Sequence, residues 1–442
     1  MTMTLSTTLL LARSRTAADR SRIRLATGAL AFSGALLING VHVGLLGTSQ
    51  LSQEQFSSYI AQPGLRPGVC AIVVVLALLA ASLAVQCLRI GTAARERRFA
   101  ALHLAGATPT QVRRLSIADA TLVGLIGGLL SGPVYVVFTA LLGELPLLVR
   151  VFPGLSLSDL LVWVAVTGVL TLSGTAIGRL THRDPATSDV SPGLPRAMGL
   201  ISGAALVVIG LAASAGYNIY ALPLTIGGLA LLWMALAPQR IQALGRRLGA
   251  AGDPAQLLAG ARLAADTRPV ARLGALLLAC GFLFGLVMQM SLFVVAQSTL
   301  DDLPFYLTGF VLSGFGLVLI ALIALAALTV GVADQLVDQR RQLACLTALG
   351  VDVEFLRRVV RSQIVLVASP ALVLGSCLGL VVGPAGPGSY LFERPSVLSF
   401  AAGLIGLLLL SWGISSGGAA LAAHLLRNQL RDALDPENLR AA

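Results

Sequence analysis

RERRFAALHLAGATPTQVRRLSIAD, residues 95–119, returns 244 positions later as QRRQLACLTALGVDVEFLRRVVRSQ, residues 339–363. In register, Arg97 pairs with Arg341, Ala100 with Ala344, Leu102 with Leu346, Gly106 with Gly350, Arg113 with Arg357 and Arg114 with Arg358. Each copy opens on paired arginines, runs through a short apolar helix and reaches a glycine able to end that helix in the left-handed conformation. A turn and a second arginine pair follow. Long apolar runs flank both copies, so the stretch reads as one short cytoplasmic element used twice.

Outward from this element the chain is membrane. Of its 442 residues 56% are hydrophobic and 12% charged, with a mean hydropathy of +0.86, outside the range of soluble domains. Runs long enough for ~30 Å of hydrocarbon lie at 25–47, 68–90, 116–142, 158–178, 197–215, 218–237, 273–296, 306–332, 362–383 and 397–420. The fold expected is therefore all-α and polytopic, with ten transmembrane helices. All 31 basic residues are arginine. With a cytoplasmic N-terminus only Arg66, Arg150 and Arg394 fall outside, so the distribution of positive charge puts both termini in the cytoplasm of a multi-pass plasma-membrane protein. The net charge of +11 then belongs to topology and to contact with anionic lipid, not to nucleic acid.

The basic cluster, apolar helix, Leu-x-x-x-Gly-Ala type turn and further basic pair resemble the FtsX-like permease domain of ABC transporters. The acidic residue usual after the first arginine pair is replaced by Arg98 and Gln342, and Asp119 becomes Gln363 in the second copy, so the two halves are unequal. Two such units in one chain resemble the bacitracin-resistance type of permease, which works with two copies of a separate ATPase. Its large domain after span seven is missing, since Gln297 to Phe305 alone lies there. The resemblance implies that Phe99 to Ala105 and Leu343 to Leu349 dock on the ATPase. It assigns coupling to Arg97, Arg98, Phe99, Leu102, Gly106, Arg113, Arg114 and Asp119, and to Arg340, Arg341, Leu343, Leu346, Gly350, Arg357 and Arg358.

The layout expected is a four-span unit over 1–180, a linker and two-span insert over 181–237, and a loop with an amphipathic helix over 238–272. A second four-span unit over 273–425 and a tail over 426–442 complete it. The segment before span one is read as retained, not cleaved. An even number of spans per unit makes the repeats parallel. Asp253 and Pro254 form an N-cap and first-turn pair for the amphipathic helix, which is expected along the inner leaflet. Gly124, Gly128 and Gly132 in span three, and Gly375, Gly379 and Gly383 in span nine, recur every fourth residue. That spacing lets backbones approach closely in lipid, as ordinary packing or as a seam where the halves move.

Enzyme signatures are absent: no HExxH, no GxSxG, no dinucleotide fingerprint and no His/Cys metal spacing. Without a lysine the chain cannot build a Walker A loop, so it binds no cofactor of its own, and ATP with Mg is expected in the partner ATPase. His42, His103, His182 and His424 have no partner by sequence, and the five cysteines read as small apolar residues. Asn39, His42 and Gln289, in the outer halves of spans one and seven, either bond neighbouring helices or touch substrate. The function expected is export or extraction of a hydrophobic or amphipathic molecule, such as a peptide antibiotic, drug or lipid. The alternatives are a non-transporting signalling permease and, weakened by the scarcity of intramembrane charge, an ATP-independent carrier.

Overall fold

The computed structural model describes residues 17–47, 58–89, 108–143, 154–181, 196–215, 221–249, 253–265, 267–297, 303–338, 345, 351–382 and 397–425. Among them are eleven long helices: α1 (Ala17–Leu45), α2 (Arg66–Arg89), α3 (Pro109–Gly143), α4 (Leu157–Thr181), α5 (Arg196–Ala215), α6 (Leu222–Leu248), α7 (Pro254–Ala265), α8 (Thr267–Gln297), α9 (Leu303–Asp338), α10 (Val353–Val382) and α11 (Val397–Leu425). No strand occurs among the described residues. Nine of these helices are long and apolar enough to cross a membrane, and α9 adds the shorter apolar stretch Gly314–Val330. The chain is an all-α polytopic membrane protein.

The helices fall into two compact units, Met1–Gly193 and Leu194–Ala442. In the first, α1 packs on α2, α3 and α4, and α3 packs on α4. In the second, α8 packs on α9, α10 and α11, and α10 packs on α11. Helices α5 and α6 belong to the second unit, where α6 lies against α8. The apolar stretch of α8 is 83% buried, against 11% for that of α5, so α8 is the axis of its unit and α5 a peripheral helix.

Three helices differ from the apolar runs that mark them. Span six was expected to stop before Pro238, yet α6 continues through it to Leu248. A proline inside a helix costs about 3 kcal/mol. On either side of it, Ala237 and Ile241 are buried with Leu263 of α7, Val270 and Ala271 of α8 and Val367 of α10, and that burial offsets the broken ladder. Helices α3 and α10 begin well before their apolar runs and carry the second arginine pairs on the same rods as the spans. At 35 residues, α3 is about 52 Å long, more than the hydrocarbon needs.

The amphipathic helix is present as α7, with Asp253 at its start: the Ala255 N–H donates to Asp253 Oδ1 at 3.2 Å. One of its faces is buried in protein. Ala259, Gly260 and Leu263 pack on α6 and α10, and a Cβ added at Gly260 would come within 2.6 Å of the Gly245 carbonyl oxygen of α6.

Arg66, placed outside by the charge distribution, acts as a clamp. Only 3% exposed, it donates from Nε to the Ile60 carbonyl at 2.7 Å, from Nη1 to Gly47 at 2.8 Å and from Nη2 to Ala61 at 3.3 Å. Gly47 sits at φ +54 just past the end of α1, a conformation glycine adopts without strain. One planar fork thus fastens the end of α1 and the short helix Ser58–Ala61 to the start of α2. Arg66→Met is expected to cost about 3 kcal/mol, seen as a lower melting temperature in detergent. Arg66→Lys is expected to recover little, because an ammonium cannot span three divergent carbonyls. An unchanged melting point for both variants would remove the clamp.

Candidate functional site

At the arginine end of each unit a capped helix leads into a span. In α3, Thr108 precedes Pro109: the Thr108 N–H donates to Gln111 Oε1 at 2.9 Å, and the Gln111 N–H donates to the Thr108 carbonyl at 3.0 Å. This is the reciprocal arrangement of a capping box, with proline at the first helical position. In α10 the corresponding residue, 244 positions on, is Asp352, whose Oδ1 accepts from the Phe355 N–H at 2.8 Å. Both caps lie two residues after the turn glycines Gly106 and Gly350. They fix where each rod starts.

Arg113 and Arg114 stand exposed in the opening turns of α3, and Asp119 is half-buried further along it. On α10, Arg357 lies 3.6 Å from Glu354, and Arg358 stacks on the Phe355 ring at 5.8 Å. Such exposed contacts contribute little to stability, which leaves the guanidinium groups available to a partner. Arg97, Arg98, Phe99, Leu102, Gly106, Arg340, Arg341, Leu343, Leu346 and Gly350 lie outside the described residues, as does Gly383.

The remaining glycines of spans three and nine are occupied inside their own units. A Cβ at Gly124 would strike the Leu170 backbone of α4, one at Gly128 would lie 2.8 Å from Thr167 Cα, and one at Gly132 would enter the Trp163 ring. Trp163 Nε1 donates to the Gly128 carbonyl at 3.0 Å across this contact. Gly375 and Gly379 face α8, where added Cβ atoms would strike the Leu278 and Phe282 carbonyl oxygens. The four-residue spacing therefore marks α3 against α4 in one unit and α10 against α8 in the other.

At the end of unit 1 remote from the arginine pairs lies a polar cluster that sequence reading half saw. His42 of α1 and Asp159 of α4 are each 7% exposed, and His42 Nδ1 lies 2.5 Å from Asp159 Oδ1. Oδ1 makes no hydrogen bond in this arrangement, and the contact is an ion pair when the imidazole is protonated. Tyr135 Oη of α3, 2% exposed, is 3.2 Å from the same nitrogen and donates to the Gly154 carbonyl at 3.3 Å. Asp159 Oδ2 also caps α4, accepting from the Ser156 N–H at 2.8 Å. Three helices thus meet at one buried His–Asp contact.

Asp159 escaped sequence reading because it stands in the first turn of its helix, where an acidic residue is an ordinary cap. A Ser-x-x-Asp spacing before an apolar run was the available signal. Asn39 and Gln289 are buried too, at 1% and 4%, and their side-chain oxygens lack a hydrogen bond. Asn39 and His42 lie in unit 1 and Gln289 in unit 2.

Residues 25–181 match the model of the FtsX-like permease C-terminal domain. This stretch is similar to the FtsX-like permease family. The FtsX-like domain coincides with unit 1 from within α1 to the end of α4, and so contains the capped start of α3, the α3–α4 glycine contact and the buried His42–Asp159 pair. Neither curated proteins nor solved structures gave a match to the chain. Permeases of this family are membrane components and generally non-enzymatic.

Proposed function

We propose that this chain is the permease subunit of an ABC transporter, driven by a separate ATPase that binds ATP and Mg, with the arginine ends of both units in the cytoplasm. The observation that carries the reading is the pair of capped rods. Each of α3 and α10 is helical from an arginine pair into a span held by glycine contact, with Pro133 inside α3 and Pro370 inside α10, so a force applied at the arginines is passed along a continuous helix to the membrane. Two such rods fit two copies of the ATPase, and the shared packing order of α1 to α4 and of α8 to α11 supports a parallel repeat. The chain then exports or extracts a hydrophobic or amphipathic molecule from the bilayer, its apolar flanks being open to lipid: Leu161 and Ile201 are 75% and 70% exposed.

The test is co-purification with a candidate ATPase and measurement of ATP hydrolysis. Charge reversal at Arg113 and Arg114 together is expected to lower permease-stimulated hydrolysis about tenfold, the loss of roughly two charge-assisted contacts, while the free ATPase is unaffected. Gly106→Pro and Gly350→Pro are expected to uncouple hydrolysis from transport. No binding of any ATPase, with all variants behaving as wild type, would reject the proposal.

A further inference from the structure

The crossing of α6 and α7 carries charge that none of the foregoing uses. Arg262 of α7 is half-buried, and it forms no hydrogen bond or ion pair among the described residues. Burial pushes its guanidinium below the usual arginine range, with no neighbouring charge contributing. A buried cation without a counter-charge is costly. The position is also rigid, because Gly260, two residues before it, is locked against Gly245, and a Cβ on either would come within 2.6 Å of the other's carbonyl oxygen.

Beside Gly245 on α6 stand Arg246 and Arg247, both exposed, with Arg240 exposed farther back. From 222 to 265 the sequence carries these four arginines and one carboxylate, Asp253, which is occupied as the α7 cap, with Asp266 next along the chain. The outer face of α7 is apolar, with Leu257 47% exposed and Ala261 and Ala265 exposed beside it. On α6, Leu224, Met234 and Leu236 are exposed and end four residues before Arg240. An acidic protein surface would leave those apolar residues in contact with polar groups. A phospholipid does not: its chains lie along Leu224 to Leu236 and its headgroup reaches the arginines, whose stems run along apolar surface while the charge sits at the interface.

We infer that Arg262, with Arg246 and Arg247, forms a binding site for the phosphate of an anionic phospholipid at the α6–α7 crossing. The site does not depend on the coupling reading, since it requires no ATPase.

The experiment compares wild type, Arg262→Gln, Arg262→Lys, Arg246→Gln/Arg247→Gln and a control, Arg196→Gln, an exposed arginine at the start of α5. Each is placed in bilayers of phosphatidylcholine alone or mixed equally with phosphatidylglycerol. Phosphatidylglycerol retained on the protein is counted by native mass spectrometry, and the melting temperature is read alongside. The expected result is retention and a raised melting point for wild type and the control, with retention about fivefold weaker in Arg262→Gln. Arg262→Lys is expected to keep most of the effect. The exposed double variant, which leaves the helix crossing untouched, is expected to weaken retention at unchanged melting point in phosphatidylcholine. Equal retention by Arg262→Gln and wild type would overturn the site. So would full reproduction of the effect by inorganic phosphate in phosphatidylcholine, or an Arg262 effect confined to samples containing an ATPase, which would assign the arginines to free anion or to protein.

Discussion

Unit 2 is expected to fall apart when Gly375 and Gly379 are both replaced by valine, and to lose about 1–3 kcal/mol when either alone becomes alanine. The reason is that α8 and α10 meet backbone to backbone. A Cβ at Gly375 would strike the Leu278 carbonyl and lie 2.9 Å from the Phe282 nitrogen, and one at Gly379 would strike the Phe282 carbonyl and lie 2.9 Å from the Leu286 nitrogen. The partner helix has no side chain that can swing away. It answers with its own glycines, since a Cβ at Gly285 would come 2.7 Å from the Leu380 nitrogen, and one at Gly281 would crowd the Leu372 backbone. Because α8 is the buried axis of the unit, forcing α10 outward also loosens its contacts with α9 and α11. The matched controls are Gly413→Ala and Gly417→Ala in α11, where an added Cβ meets nothing within 4 Å. These are expected to be neutral or to gain up to about 1 kcal/mol from helix propensity. Melting followed by detergent size-exclusion reads all of them, and equal melting points for the buried and open sets would refute the packing argument.

The same contacts mark how far sequence reached. Small residues every fourth position announce close approach, but they do not name the partner. The α3 glycines face α4 while the α10 glycines face α8, and the difference depends on side chains elsewhere: Trp163 and Thr167 complement Gly132 and Gly128. Nine of the ten expected spans were legible because hydrocarbon thickness sets a minimum apolar length, while the run at 306–332 supplies only the shorter apolar stretch Gly314–Val330 among the described residues. Helix ends were not, where burial overrode local signals, as at Pro238. Arg66 read as a topology mark and is a clamp, because its carbonyl partners have no sequence signature. The cap at Asp253 was legible, being local chemistry within two residues. The His42–Asp159 pair joins positions 117 residues apart, and only the packing of α1 on α4 brings them together. The scarcity of charge in the spans had weighed against a carrier; with two ionisable groups, His42 and Asp159, buried together at one end of α1 and α4, that argument loses force.

His42→Ala is expected to destabilise unit 1 by about 3–5 kcal/mol, because it leaves a carboxylate buried without its counter-charge. Asp159→Ala is expected to cost about 1 kcal/mol more, since Oδ2 also caps α4 through the Ser156 N–H and that cap is lost with the charge. Tyr135→Phe, which removes one contact to His42 and one to the Gly154 carbonyl, is expected to cost about 1 kcal/mol. The double variant His42→Leu/Asp159→Leu distinguishes a charge pair from a packing defect. With both charges gone no buried ion remains, so its melting point is expected above that of either single alanine variant; strict additivity of the two losses would mean that the groups do not interact. Unit 2 supplies the counter-experiment. Carrying the 247-residue offset of the Ala-Ala-Asp repeat, residues 17–19 and 264–266, along α1 places Gln289 of α8 where unit 1 has His42, and the 244-residue offset places Gly379 and Gly403 where it has Tyr135 and Asp159. Gln289 is buried with its Oε1 lacking a hydrogen bond, so Gln289→Leu is expected to be neutral or stabilising, opposite in sign to the loss at His42. That contrast would show that the polar tie between first, third and fourth helices was built in one unit alone, leaving the corresponding helices of the other joined there by packing.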